Sequence, residues 1–188
     1  VRKVVLYTLM SLDGAVDEPA RYFSPQEDSG PPVFDAELDE GEAEVIGAQD
    51  VVLLGRRMYD EWSGFWPNVD DNPFADFINE VKKYVATSTP LASTWNNAEA
   101  IEGEVEGFVR QLKDSSGGDI GIHGSIELAQ SLLAADLVDE LRLVVAPAVG
   151  FGGRRLFENT TGISRFELVS ARPTSTGSVM LTYQVRAR

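Results

Sequence analysis

From Val4 to Pro147, short apolar runs alternate with helix-patterned segments, and this alternation constrains the fold more than any other feature of the chain. Strand-type runs are read at Lys3 to Met10, Asp50 to Leu54, Tyr84 to Thr87, Asp119 to Ile122 and Glu140 to Pro147, with a brief extended piece at Ala98 to Ile101. Asp50 to Leu54 is almost continuously apolar, as befits a strand buried on both faces. Helical patterns are read at Phe34 to Ile46, from Gly55 through Trp62, and at Pro73 to Lys83, Val105 to Lys113 and Ile126 to Ala134. Two alternating strands, Phe166 to Arg172 and Ser178 to Arg186, follow around a turn at Ser175-Thr176-Gly177. The order predicts an α/β fold: a mostly parallel central sheet, helices on both faces, and antiparallel C-terminal strands. The 188 residues suit one domain spanning 1–188.

Composition removes several functions. The chain has no cysteine and one histidine, so disulfides, thiolate chemistry and a Cys/His zinc site are excluded and no metal centre is expected. His123 has no G-x-S-x-G elbow near it, which argues against a serine hydrolase. A net charge of −14 repels nucleic acid and anionic membranes. No apolar run approaches the roughly 20 residues of a membrane helix. Val4-Val5-Leu6-Tyr7 reads as a strand rather than a signal peptide, so a cytoplasmic protein is expected. The long irregular stretch from Asp17 to Pro32 reads as a functional or mobile loop.

Two strand-to-helix junctions carry the candidate chemistry. In Leu54-Gly55-Arg56-Arg57-Met58, Gly55 permits close backbone approach, and a helix start with two arginines makes an anion site in so acidic a chain. In Ile122-His123-Gly124-Ser125-Ile126, a glycine turn opens a second helix with Ser125 as its expected N-cap. Both junctions would lie at the carboxyl ends of parallel strands, where open α/β sheets bind ligands. Neither is a G-x-G-x-x-G or a G-K-[ST] loop, so a dinucleotide here would not be held in the Rossmann manner.

Taken together, Ser11-Leu12-Asp13-Gly14, Leu54-Gly55-Arg56-Arg57-Met58-Tyr59, Tyr84-Val85-Ala86-Thr87-Ser88, His123-Gly124-Ser125, Leu137-Val138-Asp139-Glu140-Leu141-Arg142-Leu143 and Gly152-Gly153-Arg154-Arg155-Leu156-Phe157 give the chain a family resemblance. It resembles the dihydrofolate-reductase-like superfamily, nearest to the reductase domain of bacterial riboflavin biosynthesis proteins. The resemblance covers nearly the whole chain and implies a three-layer fold with NADPH across the strand ends. It implies that Gly55, Arg56 and Arg57 hold the adenosine-side phosphates, with Ser88 and Thr89 beside them. It implies that His123, Gly124, Ser125 and Ile126 form the turn and helix start around the pyrophosphate. Leu9 to Gly14, including Leu12, would pass the nicotinamide, with the following loop as a lid. Many relatives have Gly-Gly where this chain has His123-Gly124; the histidine either points away from the pyrophosphate or narrows the site.

Hydride transfer needs alignment, exclusion of water and a proton rather than a nucleophile or metal. Dihydrofolate reductases place an acid on the first helix. Asp39 and Glu42, one turn apart, are the candidates here, Asp39 foremost. Asp13 is the other candidate, its alternative role being to stabilise its own turn. Tyr22, Phe23, Trp62, Phe65 and Trp66 are placed to stack on a flat heterocycle or to fill the core. The expected activity is NADPH-dependent reduction of a small pterin- or pyrimidine-like heterocycle; an NADP(H)-binding module without turnover is the alternative. A homodimer is expected, with Gly152-Gly153-Arg154-Arg155 and the C-terminal strands as its interface.

Overall fold

The fold is organised around a central strand, β1 (Val4–Met10), whose first five residues are all buried. The computed structural model describes residues 1–23, 32–150, 152–158 and 162–185. The remaining strands are β2 (Gln49–Gly55), β3 (Lys82–Ala86), β4 (Ala98–Ala100), β5 (Asp119–His123), β6 (Glu140–Val145), β7 (Phe166–Pro173) and β8 (Val179–Val185). They form one sheet in the order β4-β3-β2-β5-β1-β6-β8-β7. The pairings from β4 to β6 are parallel, and β8 joins β6 and β7 antiparallel. The expected mostly parallel sheet with an antiparallel C-terminal edge is therefore present.

The helices are α1 (Ala20–Phe23), α2 (Ala36–Gly47), α3 (Arg56–Phe65), α4 (Pro73–Glu80), α5 (Val105–Asp114) and α6 (Ile126–Ala134). Strand side chains alternate between faces, so β1, β2 and β5 supply two cores. On one face Leu6, Leu53, Ile120 and Ile122 pack with Val109 of α5 and Leu128 and Leu132 of α6. On the other, Val52 and Leu54 pack with Tyr59 of α3 and with Phe74 and Ile78 of α4, while Tyr7 and Val144 pack with Leu38 and Val45 of α2. The result is three layers, with α2, α3 and α4 on the second face. Because β1, β2 and β5 are parallel, Met10, Gly55 and His123 end at one edge, where β2 runs into α3 and β5 into the turn before α6.

Several boundaries differ from the sequence reading. α2 begins at Ala36 because Asp35 caps it, its carboxylate accepting from the Leu38 amide at 2.8 Å. α4 stops at Glu80 rather than Lys83 because Lys83 turns back into it. The Lys83 ammonium donates to the carbonyls of Ile78 at 2.7 Å, Val81 at 2.8 Å and Asn79 at 3.3 Å. A fully buried lysine thus closes the helix C-terminus, with its charge 4.6 Å from the centre of the Trp95 ring. Within the stretch expected to be irregular, Ala20–Phe23 is helical; the part of that loop at 24–31, with the lid expected there, lies outside the described residues, as do Phe151 and Arg186. Among the described residues no helix is long and apolar enough to cross a membrane, and no cluster of His, Asp and Glu is arranged to hold a metal.

Candidate active site

At the carboxyl edge of the sheet, a cleft of about 1580 Å³ runs from the start of α3 across the His123-Gly124-Ser125 turn to the flank of α2. Pockets for drug-sized ligands measure roughly 300–1,000 Å³, so this cleft has room for a large ligand and a smaller one beside it.

Both sequence-predicted junctions line it. At the first, Gly55 is the N-cap residue of α3, and no side chain caps that helix. At the second, Gly124 and Ser125 both take positive φ, 59° and 51°, and a Cβ on Gly124 would lie 2.4 Å from the Met58 methyl. Positive φ is costly for a residue with a side chain, so the backbone favours glycine there, while the flexible Met58 methyl could give way. Ser125 occupies the N-cap position of α6 but does not perform the expected capping: its left-handed backbone turns the hydroxyl away, and it accepts instead from the Gly55 amide at 2.9 Å. Two helix N-termini therefore open on the cleft and, among the described residues, no side chain satisfies their first amides, a disposition that favours anions.

Arg56 and Arg57 behave differently from one another. Arg56 is drawn back along α3: Nε pairs with Asp60 at 2.9 Å, and Nη1 donates to the Thr89 hydroxyl at 2.7 Å, the Pro90 carbonyl at 3.0 Å and the Thr87 hydroxyl at 3.2 Å. It staples the segment after β3 to α3, and Thr89 enters through that contact. Arg57 extends outward, 82% exposed, and among the described residues pairs with Glu61. Ser88 and Thr89 are exposed beside Arg56 and do not line the cleft, although Ile126 does. The Leu12 side chain is 65% exposed and also lies off the cleft, its amide donating to the Ala148 carbonyl at 2.7 Å.

His123 points away from the junction. Its ring is 2% exposed and sits among Phe74 at 5.3 Å, Tyr7 at 5.5 Å and Phe77 at 6.0 Å between ring centres. Burial lowers its pKa to about 3, so it is neutral. One ring nitrogen, Nε2, lies 2.8 Å from the Gln49 side-chain oxygen. Gln49 reaches it over Gly121, where a Cβ would stand 2.1 Å from that oxygen. Among the described residues the other ring nitrogen, Nδ1, has no partner, nor has the Trp66 indole N–H, although both residues line the cleft.

The three candidate acids separate. Asp13 is a clamp: its carboxylate accepts from the Gly150 amide at 2.7 Å, the Ser11 hydroxyl at 2.6 Å and Arg155 at 2.9 Å. These bonds, the Gly150 amide foremost, hold its carboxyl below the usual carboxylate range. A carboxylate so engaged is a poor proton donor, and Asp13 is absent from the cleft lining, so the sequence reading of Asp13 as a catalytic acid is revised. Asp39 and Glu42 both line the cleft from α2. Asp39 is exposed, whereas Glu42 is half-buried, and burial, reinforced by the charge of Asp39, raises its pKa to about 7. Buried Tyr7 is pushed well above its ordinary pKa by burial and by the charges of Glu42 and Asp39. Sequence spacing put both acids on one face; which one sits deeper depends on the packing of α2 against β1 and could not be read from it.

Trp62, Phe65, Trp66 and Phe74 form the aromatic wall, with Trp66 4.9 Å from Phe74 and 5.0 Å from Phe65 between ring centres. Trp66 lies in a 3-10 turn (Trp66–Asn68) and is 6% exposed.

Comparison with known proteins agrees with this architecture. The family described as the RibD C-terminal domain matches residues 2–180. The protein YyaP of Bacillus subtilis is 29% identical over 149 residues, 77% of this chain and 79% of YyaP. A pyrimidine reductase-like protein from Corynebacterium diphtheriae superposes with a TM-score of 0.68 at 12% identity, over 100% of this chain and 93% of that one. The dihydrofolate reductase of Enterococcus faecalis, in complex with NADP(H) and RAB-propyl, does so with a TM-score of 0.63 at 15% identity, over 98% of this chain and 97% of that one. With the sheet order, the two strand-to-helix junctions and a match over almost its entire length, the chain belongs to the RibD C-terminal domain family and has the dihydrofolate-reductase-like fold.

Proposed function

We propose that the protein is an NADPH-dependent reductase that delivers a hydride to a small heterocycle of pterin or pyrimidine type. The observation that carries this reading is the pair of uncapped helix N-termini joined by the Gly55–Ser125 hydrogen bond at one cleft. Together they offer backbone amides to a pyrophosphate, and Gly124 leaves that approach free of a side chain. Arg57 supplies an exposed guanidinium for the 2′-phosphate, and Arg56 shapes the wall beside it. NADPH, when bound, supplies the hydride; the chain's own residues then have to orient the acceptor, exclude water and provide one proton. Glu42 fits the last task. A carboxyl with a pKa near 7 is substantially protonated at neutral pH and able to protonate a ring nitrogen as the adjacent carbon receives hydride. The RibD C-terminal domain family and the pyrimidine reductase-like neighbour support the reaction class.

The homodimer belongs to the same reading. β7 lies at the edge of the sheet and exposes Leu168 and Val169 at 54% and 61%, an apolar strand suited to a second copy. Calorimetric titration tests the cofactor: NADPH should bind at least tenfold more tightly than NADH, and Arg57→Ala should remove most of that difference. Equal affinities for the two nucleotides in the wild-type protein would refute the reading.

A further inference from the structure

The cleft beyond the junctions is acidic and aromatic. A chain of ring contacts runs from Trp66 to Phe74 at 4.9 Å, from Phe74 to His123 at 5.3 Å and from His123 to Tyr7 at 5.5 Å, and Tyr7 feels the charges of Glu42 and Asp39. Among the described residues neither acid has an ion-pair partner. Every arginine lining the cleft is already balanced by a carboxylate: Arg21 by Glu18, Arg56 by Asp60, Arg57 by Glu61, and Arg154 by Glu158 and Glu127. Arg56 and Arg57 belong to the α3 junction, Arg154 reaches Glu127 in the first turn of α6, and Arg21, the one cleft arginine on α1, pairs with Glu18.

A second observation points to a ligand at the same end. Among the described residues the Trp66 indole N–H and His123 Nδ1 are buried without partners, in residues that are 6% and 2% exposed and that line the cleft. An indole nitrogen can only donate, and leaving a buried donor unpaired costs on the order of 1–3 kcal/mol. A bound molecule that presents a carbonyl oxygen or ring nitrogen to Trp66 removes that cost. A phosphate or carboxylate tail would instead lie against Asp39 and a partly ionised Glu42, and among the described residues every cleft arginine is already paired.

From this juxtaposition the geometry points to a specific substrate class: a flat heterocycle, neutral or cationic, that carries a hydrogen-bond acceptor on its edge and no phosphate or other anionic tail. The inference rests on the reductase reading for the position of the acceptor ring, but the charge selection is a property of the α2 pocket alone. Bound NADPH would add negative charge nearby and sharpen the selection.

A matched pair of probes tests it: 6-hydroxymethylpterin and its phosphate monoester, titrated by quenching of tryptophan fluorescence into the wild-type protein with and without saturating NADPH. The uncharged probe should bind at least tenfold more tightly, and Asp39→Asn with Glu42→Gln should narrow the gap by strengthening binding of the ester. The gap should also shrink as salt is raised. Equal or tighter binding of the ester, or binding of neither probe, overturns the inference. The arm without nucleotide separates the two proposals: failure of NADPH to bind refutes the cofactor reading, while the probe pair still reports on the pocket.

Discussion

The hydroxyl of Ser125 accepts a hydrogen bond from the amide of Gly55 at 2.9 Å, and this one contact joins the end of β2 to the turn that follows β5, 70 residues later in the chain. It fixes the spacing between the two helix N-termini and explains why Ser125 holds a left-handed backbone instead of capping α6.

Removing that hydroxyl should therefore affect both binding and stability. Ser125→Ala leaves the Gly55 amide without its acceptor and keeps an unfavourable φ, at a cost of about 1–2 kcal/mol. The expected outcome is a lower midpoint in urea unfolding, with NADPH affinity reduced several-fold. A variant with unchanged stability and affinity would show that the junctions are held together by other means.

Glu42 should govern the pH dependence of turnover. Its protonated form is the donor, so the rate falls as pH rises through about 7, and Glu42→Gln should flatten that limb and lower turnover by about 10²-fold while leaving NADPH binding intact. Stability follows the same sign. A carboxyl whose folded pKa is raised contributes stability that is present below its unfolded value near 4.5 and is lost as pH rises through about 7. The wild type should accordingly lose thermal stability relative to Glu42→Gln across that interval.

Asp13→Asn provides the contrast. It weakens the clamp to Arg155 and Gly150 and should lower the thermal midpoint. The pH profile of the rate should keep its position, because the titrating group remains Glu42. A shifted profile would return Asp13 to the chemistry.

Lys83→Met should be among the more damaging single changes on the second face of the sheet. It strips the donor from three carbonyls at the end of α4, one buried and two half-buried, at a cost of about 3 kcal/mol. Burial lowers the Lys83 pKa to about 8 from 10.5. The stability attached to that lowered pKa is present above 10.5 and is lost as pH falls through about 8. Wild-type stability should therefore rise relative to Lys83→Met between pH 8 and 10.5, a trend that denaturant titrations at several pH values would detect.

The alternation of apolar runs with helical patterns determined the layers, because strand and helix periods are local properties of side-chain placement. It also located both junctions, since Gly55 and Gly124 each stand between a buried strand and a helix. What only the tertiary structure decided is how the polar groups near those junctions are shared. Ser125 serves Gly55 rather than its own helix, Arg56 staples the segment after β3, and His123 turns into an aromatic core beside Gln49. Asp13 is bound by residues more than 130 positions away, while the distinction between Asp39 and Glu42 rests on burial against β1. Each of these outcomes depends on partners distant in sequence and on local desolvation, and neither is encoded in the spacing of residues along one segment.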